Sequence, residues 1–357
     1  MECSGPFATM LELYRCLRPY IIRSDEIQTE EEWAAVQVKG EEVVGFESAI
    51  DDLMHLRSNC DFAALINDAL RDLITARIFE IGGSQYCVLH ERYACPRGSQ
   101  GNLRFCKGSP IFAVPMQRSS ISRNLHVAAT HPLHDTYTGE QSTILFALTG
   151  AKSLLIAGAH RHAYRKDSDC QPQYSLTDAA HNTDLLFHKA SLRIHAWQQS
   201  NTSPSGGGGC QESCAFLQPH GKGRTTCPDD TVFVSAGTST QEFYTDMTAD
   251  NDIINTFVNE LASGTGWAVR TPATSDCYLI GSTNVQGRII NQVQQGSECG
   301  TPALESDISG NFLHMESEFD ARDFRDQGQM EALATALRAA ITCSCAGNMS
   351  CVDGMCI

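Results

Sequence analysis

Residues 126–162, HVAATHPLHDTYTGEQSTILFALTGAKSLLIAGAHRH, contain two short apolar runs on either side of a helical pattern. We interpret His126–Thr130 as a strand, Gly139–Leu148 as a helix, and Ser153–Gly158 as a second strand. A short apolar run bounded by glycine is typical of a strand that is buried in a parallel sheet. The stretch therefore predicts a strand–helix–strand unit with parallel strands.

The same alternation continues toward the carboxyl terminus and predicts the fold class. Further strands are expected at Cys214–Gln218, Thr231–Ala236, Tyr278–Gly281 and Asn311–Glu316, and further helices at Ser175–Trp197, Asp250–Ser263 and Met330–Ile341. Alternating strands and helices favour an α/β fold with a mostly parallel, mixed sheet and helices on both faces.

We expect three segments along the chain of 357 residues. Residues 1–124 are predicted as a helical, disulfide-tied N-terminal extension, in which 82–124 form an irregular connector rich in Gly, Pro and Ser. Residues 125–341 are predicted as the α/β domain. Residues 342–357, with Cys343, Cys345, Cys351 and Cys356, are predicted as a cysteine-rich, disulfide-knotted tail.

The cysteine count indicates the compartment. Sixteen cysteines are spread over the chain without a Cys-x-x-Cys pair, which favours a disulfide framework over a zinc ribbon and predicts an extracellular, secreted protein. Two glycosylation sequons, at Asn201 and Asn348, fit that compartment. The first 25 residues lack an apolar signal-peptide region, so we expect that a leader was removed or that the sequence is incomplete at its start.

Charge and hydropathy exclude two classes of partner. The net charge of −16 leaves no basic excess to neutralise phosphates, so no nucleic-acid partner is expected. The longest candidate membrane span, residues 143–159, is interrupted by Lys152 and is too short, so no membrane span is expected.

Polar residues follow the predicted strands at the edge where their carboxyl ends meet, which is where ligand sites form in open α/β sheets. His131 and Asp135 follow the first strand and His220 ends a later one, so these three are predicted to supply the donors of a hydrolytic zinc site. Glu316, at the end of the last strand, is the predicted catalytic base, and Arg161 is predicted to bind a substrate carboxylate.

Several alternatives stay open at this stage. Glu140 is an alternative metal ligand to Asp135, although an acidic residue is also favoured at a helix start by the helix dipole. Glu318 is an alternative to Glu316 as the catalytic base, because strand alternation places both side chains on the same face of the strand. Asn284 and Arg288 are predicted substrate-binding residues, or else part of a plain turn. The polar residues 178–182 are interpreted as the start of a helix, and capping and packing are favoured over a catalytic role for them.

These motifs occur in a recognisable order. The order is His131-Pro with Asp135 and Glu140-Gln141, then Gly-Ala-His-Arg161, a helix with His188, Leu-Gln-Pro-His220-Gly, and Phe-Leu-His-Met-Glu316. Over residues 126–325 this resembles the N-formylglutamate amidohydrolase-like proteins and, more distantly, the zinc carboxypeptidases that share their fold. The resemblance implies zinc on His131, Asp135 and His220, Arg161 on the substrate carboxylate, and Glu316 as general base. The carboxypeptidase pair is His-x-x-Glu, whereas here the acid stands at 135 or 140.

Two functional hypotheses follow. The first is a secreted, zinc-dependent hydrolase of amide bonds in a small or peptide-like substrate that bears a carboxylate. The second is an extracellular structural or adhesive subunit, such as a homo-oligomer or filament protein, built on a degenerate hydrolase fold.

Overall fold

The fold is given by a computed structural model of the chain, which describes residues 3–55, 59–200, 214–245 and 252–341 and the short segments 351–352 and 355–356. The helices of these residues are α1 (Met10–Leu17), α2 (Glu30–Val36), α3 (Glu41–Met54), α4 (Phe62–Leu65), α5 (Thr138–Thr149), α6 (Leu186–Gln199), α7 (Gln241–Thr245), α8 (Asp252–Thr265), α9 (Val285–Ile290) and α10 (Gln327–Ala340).

The described strands fall into one large sheet and two small hairpins. They are β1 (Ile74–Ile81), β2 (Ser84–Glu91), β3 (Ala94–Arg97), β4 (Asn102–Phe105), β5 (Ile111–Pro115), β6 (Arg123–Ala129), β7 (Ala151–Ile156), β8 (Ala215–Gly221), β9 (Val232–Ser235), β10 (Val269–Arg270), β11 (Phe312–Ser317), β12 (Cys351–Val352) and β13 (Met355–Cys356). β3 pairs with β4, and β12 pairs with β13.

The large sheet has nine strands in the order β1-β2-β5-β7-β6-β8-β11-β9-β10. The four central strands, β7, β6, β8 and β11, are parallel to one another, and β9 and β10 also form a parallel pair. β1, β2 and β5 add antiparallel strands on one side, and β9 runs antiparallel to β11. The predicted α/β class with a mixed sheet is confirmed, and the parallel pairing is concentrated at the centre.

Helices pack on both faces of the sheet, because alternate side chains of each central strand point to opposite sides. On one face, Leu125 and Val127 of β6 belong to a core with residues of α1, α5, α8 and α10. On the other face, Ala128 of β6 and Phe216 of β8 belong to a second core with residues of α3, α4, α6 and α9.

Three local predictions differ from the structure. Helix α6 begins at Leu186, so residues 175–185 form turns where a helix was predicted from residue 175. The segment 278–281 is not a strand. The predicted irregular connector over 82–124 is wrong for β2 and β5, because both pair within the large sheet. The Gly, Pro and Ser residues around β2 and β5 favoured a loop prediction over the short apolar runs that form these strands.

Disulfide bonds tie the loops and the N-terminal segment, as the cysteine count predicted. Five of them join described cysteines, namely Cys3–Cys16, Cys60–Cys87, Cys95–Cys106, Cys170–Cys299 and Cys227–Cys277. In the described part of the chain, no helix combines the length and the apolar character needed to cross a bilayer. The sequons at Asn201 and Asn348 and the disulfides predicted for the tail lie outside the described residues and side chains.

Candidate functional site

The central parallel strands carry the predicted site residues to one edge of the sheet. β6 ends at Ala129, two residues before His131, and the neighbouring β8 ends with His220 and Gly221. β11 lies on the other side of β8, and the register of this parallel pair places Glu316 directly beside His220. These three residues are therefore neighbours because adjacent parallel strands end at the same level.

A tight turn after β6 brings Asp135 back to His131. The amide of Asp135 donates to the carbonyl of His131 at 3.0 Å, and the Thr138 hydroxyl donates to the carbonyl of Asp135 at 2.8 Å. Tyr137 takes a left-handed backbone conformation, with φ of 74°, immediately before α5 begins. The turn brings the side chains of His131 and Asp135, four residues apart in sequence, into contact.

The His131, Asp135 and His220 side chains converge on one point, which is a candidate metal-binding site. We refer to these three residues as the metal centre. Nδ1 of His131 and Nδ1 of His220 each lie 3.2 Å from Oδ2 of Asp135. One donor atom from each residue lies within 4.8 Å of the others, and all three residues are buried. The predicted ligands are thus brought together, with two imidazoles and one carboxylate facing each other.

This donor set fits a catalytic zinc ion. Two imidazole nitrogens and one carboxylate oxygen are a common protein donor set of catalytic zinc, which keeps a further position for water or substrate. Glu140, the alternative ligand, is not part of the group. Its Oε1 lies 3.2 Å from Nε of Arg18, on the side where α1 packs against α5. Asp135 is therefore the carboxylate that lies with the two histidines, and Glu140 is paired with an arginine.

Asp178 is a residue of this site for which the sequence analysis favoured helix capping over a catalytic role. Its carboxylate is fully buried, with Oδ1 2.8 Å from Nε2 of His131 and Oδ2 2.6 Å from Nη2 of Arg161. A carboxylate on the second nitrogen of a metal-ligating histidine fixes its tautomer and its orientation. Because a helix was predicted over 175–197, Asp178 was interpreted as a capping residue, whereas it lies in a loop before α6.

The loop that holds Asp178 is tied to both neighbouring segments. The amide of Asp178 donates to the carbonyl of Ser175 at 2.9 Å, and the Thr177 hydroxyl donates to the carbonyl of Arg161 at 3.0 Å. The Cys170–Cys299 disulfide joins the start of this loop to the segment after α9. Several independent bonds therefore fix the carboxylate that orients His131.

The charges at the centre favour a cation. Burial and Arg161 lower the pKa of His131, yet Asp178 and Asp135 outweigh them, so its pKa lies above the usual value. Burial raises the pKa of Asp135, but the two imidazoles hold it well below its usual range. Two ionised carboxylates therefore share one arginine and two histidines, and a bound cation is a better partner for them than a buried imidazolium.

Glu316 is buried beside the metal centre. Burial, followed by the negative charge of Asp135, raises the pKa of Glu316 to about 8. His314, two residues earlier on the same face of β11, is also buried, and its ring lies 4.6 Å from that of His220. His220, His314 and Glu316 form a second group of close donor atoms. The i, i+2 spacing with Glu316 was the sequence signal that could have identified His314.

A chain of buried amides continues from the far side of His220. Nε2 of His220 lies 3.5 Å from Oε1 of Gln218, whose Nε2 donates to Oε1 of Gln286 at 3.2 Å. Nε2 of Gln286 lies 3.3 Å from Nδ1 of His188, and the other nitrogen of His188 lies 3.1 Å from Oε1 of Glu298. Because every member is buried and hydrogen-bonded, the chain restrains the ring of His220.

The other predicted residues have definite places in the structure. Arg161 keeps its contact with Asp178, and its buried Nε has no hydrogen-bond partner among the described residues. Asn284 caps α9 through Oδ1 and donates from Nδ2 to Gln218 at 2.6 Å. Arg288 donates to the backbone carbonyls of Ser282 and of residues 298 and 299. These contacts give Asn284 and Arg288 structural roles around α9, and their substrate-binding role stays a prediction.

A further group of potential donors is not a metal site. Cys227, Asp230 and Cys277 have close donor atoms, but the two cysteines form a disulfide bond with each other. Their sulfur atoms are therefore not available as thiolates.

Comparisons with known proteins identify distant structural neighbours. No family model matches the chain, and no curated protein matches it. A bacteriophage poly-gamma-glutamate hydrolase is 13% identical, with 62% of this chain and 85% of that chain covered and a TM-score of 0.33. Succinylglutamate desuccinalase from Vibrio parahaemolyticus is 11% identical, with 85% and 97% covered and a TM-score of 0.37. At these TM-scores the two structures support no conclusion about the family or the site of this chain.

Proposed function

We propose that this protein is a metal-dependent hydrolase of amide bonds, with zinc held by His131, Asp135 and His220. The observation that carries the proposal is the convergence of two imidazole nitrogens on one carboxylate oxygen, each at 3.2 Å, beside a buried glutamate. The chemistry of this donor set, and not the fold, supports the assignment.

The metal ion, when bound, supplies Lewis acidity to the scissile carbonyl oxygen and to the attacking water. Glu316 takes a proton from that water as its oxygen adds to the carbonyl carbon. The carbon–nitrogen bond then breaks, and Glu316 returns the proton to the leaving nitrogen, so that a carboxylate and an amine are formed. A cation beside Glu316 lowers the pKa of its carboxyl, which favours the ionised form that a base requires.

Arg161 is proposed to bind a carboxylate of the substrate. Nη2 of its guanidinium lies 2.6 Å from Oδ2 of Asp178, and 20% of the side chain remains exposed. A guanidinium offers five donors in a fixed plane, so the same group can orient Asp178 and bind a second carboxylate. The proposed substrate is therefore a small or peptide-like amide with a free carboxylate.

We propose export to an oxidising compartment as the setting of this activity. Five disulfides among the described residues support the proposal, because such bonds persist outside the reducing cytosol.

The experiment that tests the catalytic assignment compares Glu316→Gln with Glu318→Gln. The proteins, loaded with zinc, are assayed on a panel of N-acyl and N-formyl amino acids and short acidic peptides. We expect Glu316→Gln to lose about 10²–10⁴-fold in kcat while it keeps its zinc, since only the proton transfer is removed. Glu318→Gln is the matched control and is expected to keep its activity. Equal activity in both variants contradicts the role of Glu316.

A further inference from the structure

A second group of histidines lies outside the metal centre. His134 follows β6, in the turn after His131, and His160 and His162 follow the parallel neighbour β7. His134 is exposed and the other two are partly exposed. We name these three the rim histidines. The centroids of the His131 and His134 rings are 6.5 Å apart, so the group adjoins the metal centre without sharing its donors.

The spacing of the three rings matches that of imidazoles around one metal ion. Their centroids are 5.2 Å apart for His134 and His160, 5.2 Å for His134 and His162, and 5.7 Å for His160 and His162. Tetrahedral coordination with a metal–nitrogen distance of about 2.0–2.1 Å separates two imidazole centroids by about 5.2 Å. For comparison, the His131 and His220 rings of the metal centre are 5.0 Å apart.

The hydrogen bonds of the rim histidines leave suitable nitrogens for a metal. Nδ1 of His160 accepts from the amide of His162 at 2.9 Å, and Nδ1 of His162 lies 3.1 Å from the Ser175 hydroxyl. Within the described residues, no hydrogen bond engages Nε2 of either ring or the ring of His134. The ring nitrogens do not all lie within 4.8 Å of one another, so coordination requires the rings to turn, which their exposure to solvent permits.

The two arginines nearest in sequence to His160 and His162 are each paired with a carboxylate. Arg161 lies between two of the rim histidines in sequence, and its guanidinium is paired with Asp178 at 2.6 Å. Arg165 is paired with Asp25, with Nε 2.6 Å from Oδ1. Both arginines are therefore compensated by carboxylates.

We propose that the rim histidines bind a second divalent transition-metal ion, separate from the ion of the metal centre. Imidazole-only donor sets favour zinc and copper over magnesium or calcium, which require oxygen ligands. Three nitrogens leave coordination positions open toward solvent, where a carboxylate of the substrate or a water completes the shell. The proposal depends on the spacing of the rings and is independent of the catalytic role of the metal centre.

The test measures metal stoichiometry on the full chain after removal of metal with a chelator. The protein is titrated with Zn²⁺ by calorimetry, and bound metal is counted by elemental analysis after gel filtration. We expect two zinc ions per chain in the wild type and one in the double variant His160→Ala/His162→Ala. His55→Ala, which removes a histidine far along the sequence from the rim, is the control and is expected to keep two ions. Thermal unfolding without metal verifies that each variant is folded.

Two further measurements separate the two sites. The conservative double variant His160→Gln/His162→Gln is expected to bind one ion as well, which covers the case that the alanine variant does not fold. In His220→Gln, which lacks a ligand of the metal centre, Cu²⁺ at the rim is expected to show an electron paramagnetic resonance signal with coupling to imidazole nitrogens. Rim variants that bind as much zinc as the wild type overturn the proposal. Unchanged zinc binding in His220→Gln would count instead against the metal centre.

Discussion

The clearest consequence of the site geometry concerns Asp178, which touches no substrate in the proposed reaction. Replacing it by asparagine keeps the shape of the side chain and removes the charge that faces His131 and Arg161. An amide can turn either its oxygen or its nitrogen toward Nε2 of His131, so the tautomer that presents Nδ1 to the metal is no longer imposed.

The size of the effect follows from the contacts that are lost. The carboxylate is fully buried and lies 2.8 Å from His131 and 2.6 Å from Arg161. A hydrogen bond to a charged group contributes about 1.5–3 kcal/mol, and each 1.4 kcal/mol corresponds to about tenfold in binding. Loss of an outer-shell partner typically weakens metal binding about 10–100-fold. We therefore expect Asp178→Asn to bind zinc about 10–100-fold more weakly than the wild type.

The assay is competition for zinc between the metal-free protein and a chromophoric chelator. Asp169→Asn, an exposed aspartate in the same loop, is the matched control and is expected to keep the wild-type affinity within about twofold, since surface changes are usually small. Circular dichroism verifies that both variants are folded. An Asp178→Asn variant that is folded and binds zinc as tightly as the wild type would refute the orienting role of Asp178.

Three further predictions follow from contacts around the site. Burial, with a smaller effect from Lys152, lowers the pKa of His126 to about 3, so the unfolded chain binds more protons below about pH 6.5 and stability falls as the pH falls. Between pH 7.5 and 5 we expect His126→Asn to lose about 2 kcal/mol less in denaturant unfolding than the wild type. Removing the Cys170–Cys299 disulfide, by serine at both positions, should lower the free energy of unfolding by about 2–5 kcal/mol and weaken zinc binding, because it frees the loop of Asp178. Gln218→Leu should weaken zinc binding by severalfold, measured by the same chelator competition, because it releases the ring of His220.

Each of these three has an outcome that contradicts it. If His126→Asn loses as much stability on acidification as the wild type, the buried ring of His126 does not cause the pH dependence of the unfolding free energy. If the serine variant keeps wild-type zinc affinity, the disulfide does not position the loop, and removal of Cys95–Cys106, away from the centre, is its control. Unchanged zinc affinity in a folded Gln218→Leu protein shows that Thr130, 3.3 Å from Nε2 of His220, suffices to hold the ring.

The site residues that could be predicted from the sequence lie at or just after the ends of the central strands. His131, His220 and Glu316 stand at the ends of buried strands whose apolar runs are clear in the sequence, and the meeting of strand ends is a general property of parallel sheets. Asp135 could be predicted because it follows the same strand only four residues after His131. The central strands β6, β7, β8 and β11 could be predicted because their apolar runs are clear in the sequence.

Asp178 could not be predicted in the same way. It lies in a loop, and its position depends on the Cys170–Cys299 disulfide and on hydrogen bonds to Ser175 and Arg161, which a single sequence does not specify. The structural contacts of Asn284 and Arg288 could not be predicted either, because they depend on which groups lie next to α9 in the folded chain. The outer strands β2 and β5 were missed because short runs flanked by turn residues favour a loop interpretation.

The central claim is that a divalent metal ion is held between His131, Asp135 and His220. The most direct test is diffraction from crystals of the zinc-loaded protein, measured above and below the zinc absorption edge. The account predicts an anomalous peak about 2.0–2.2 Å from Nδ1 of both histidines and from a carboxylate oxygen of Asp135. Crystals that contain zinc at other positions and none between these three side chains would contradict it, and would favour a structural subunit built on a degenerate hydrolase fold.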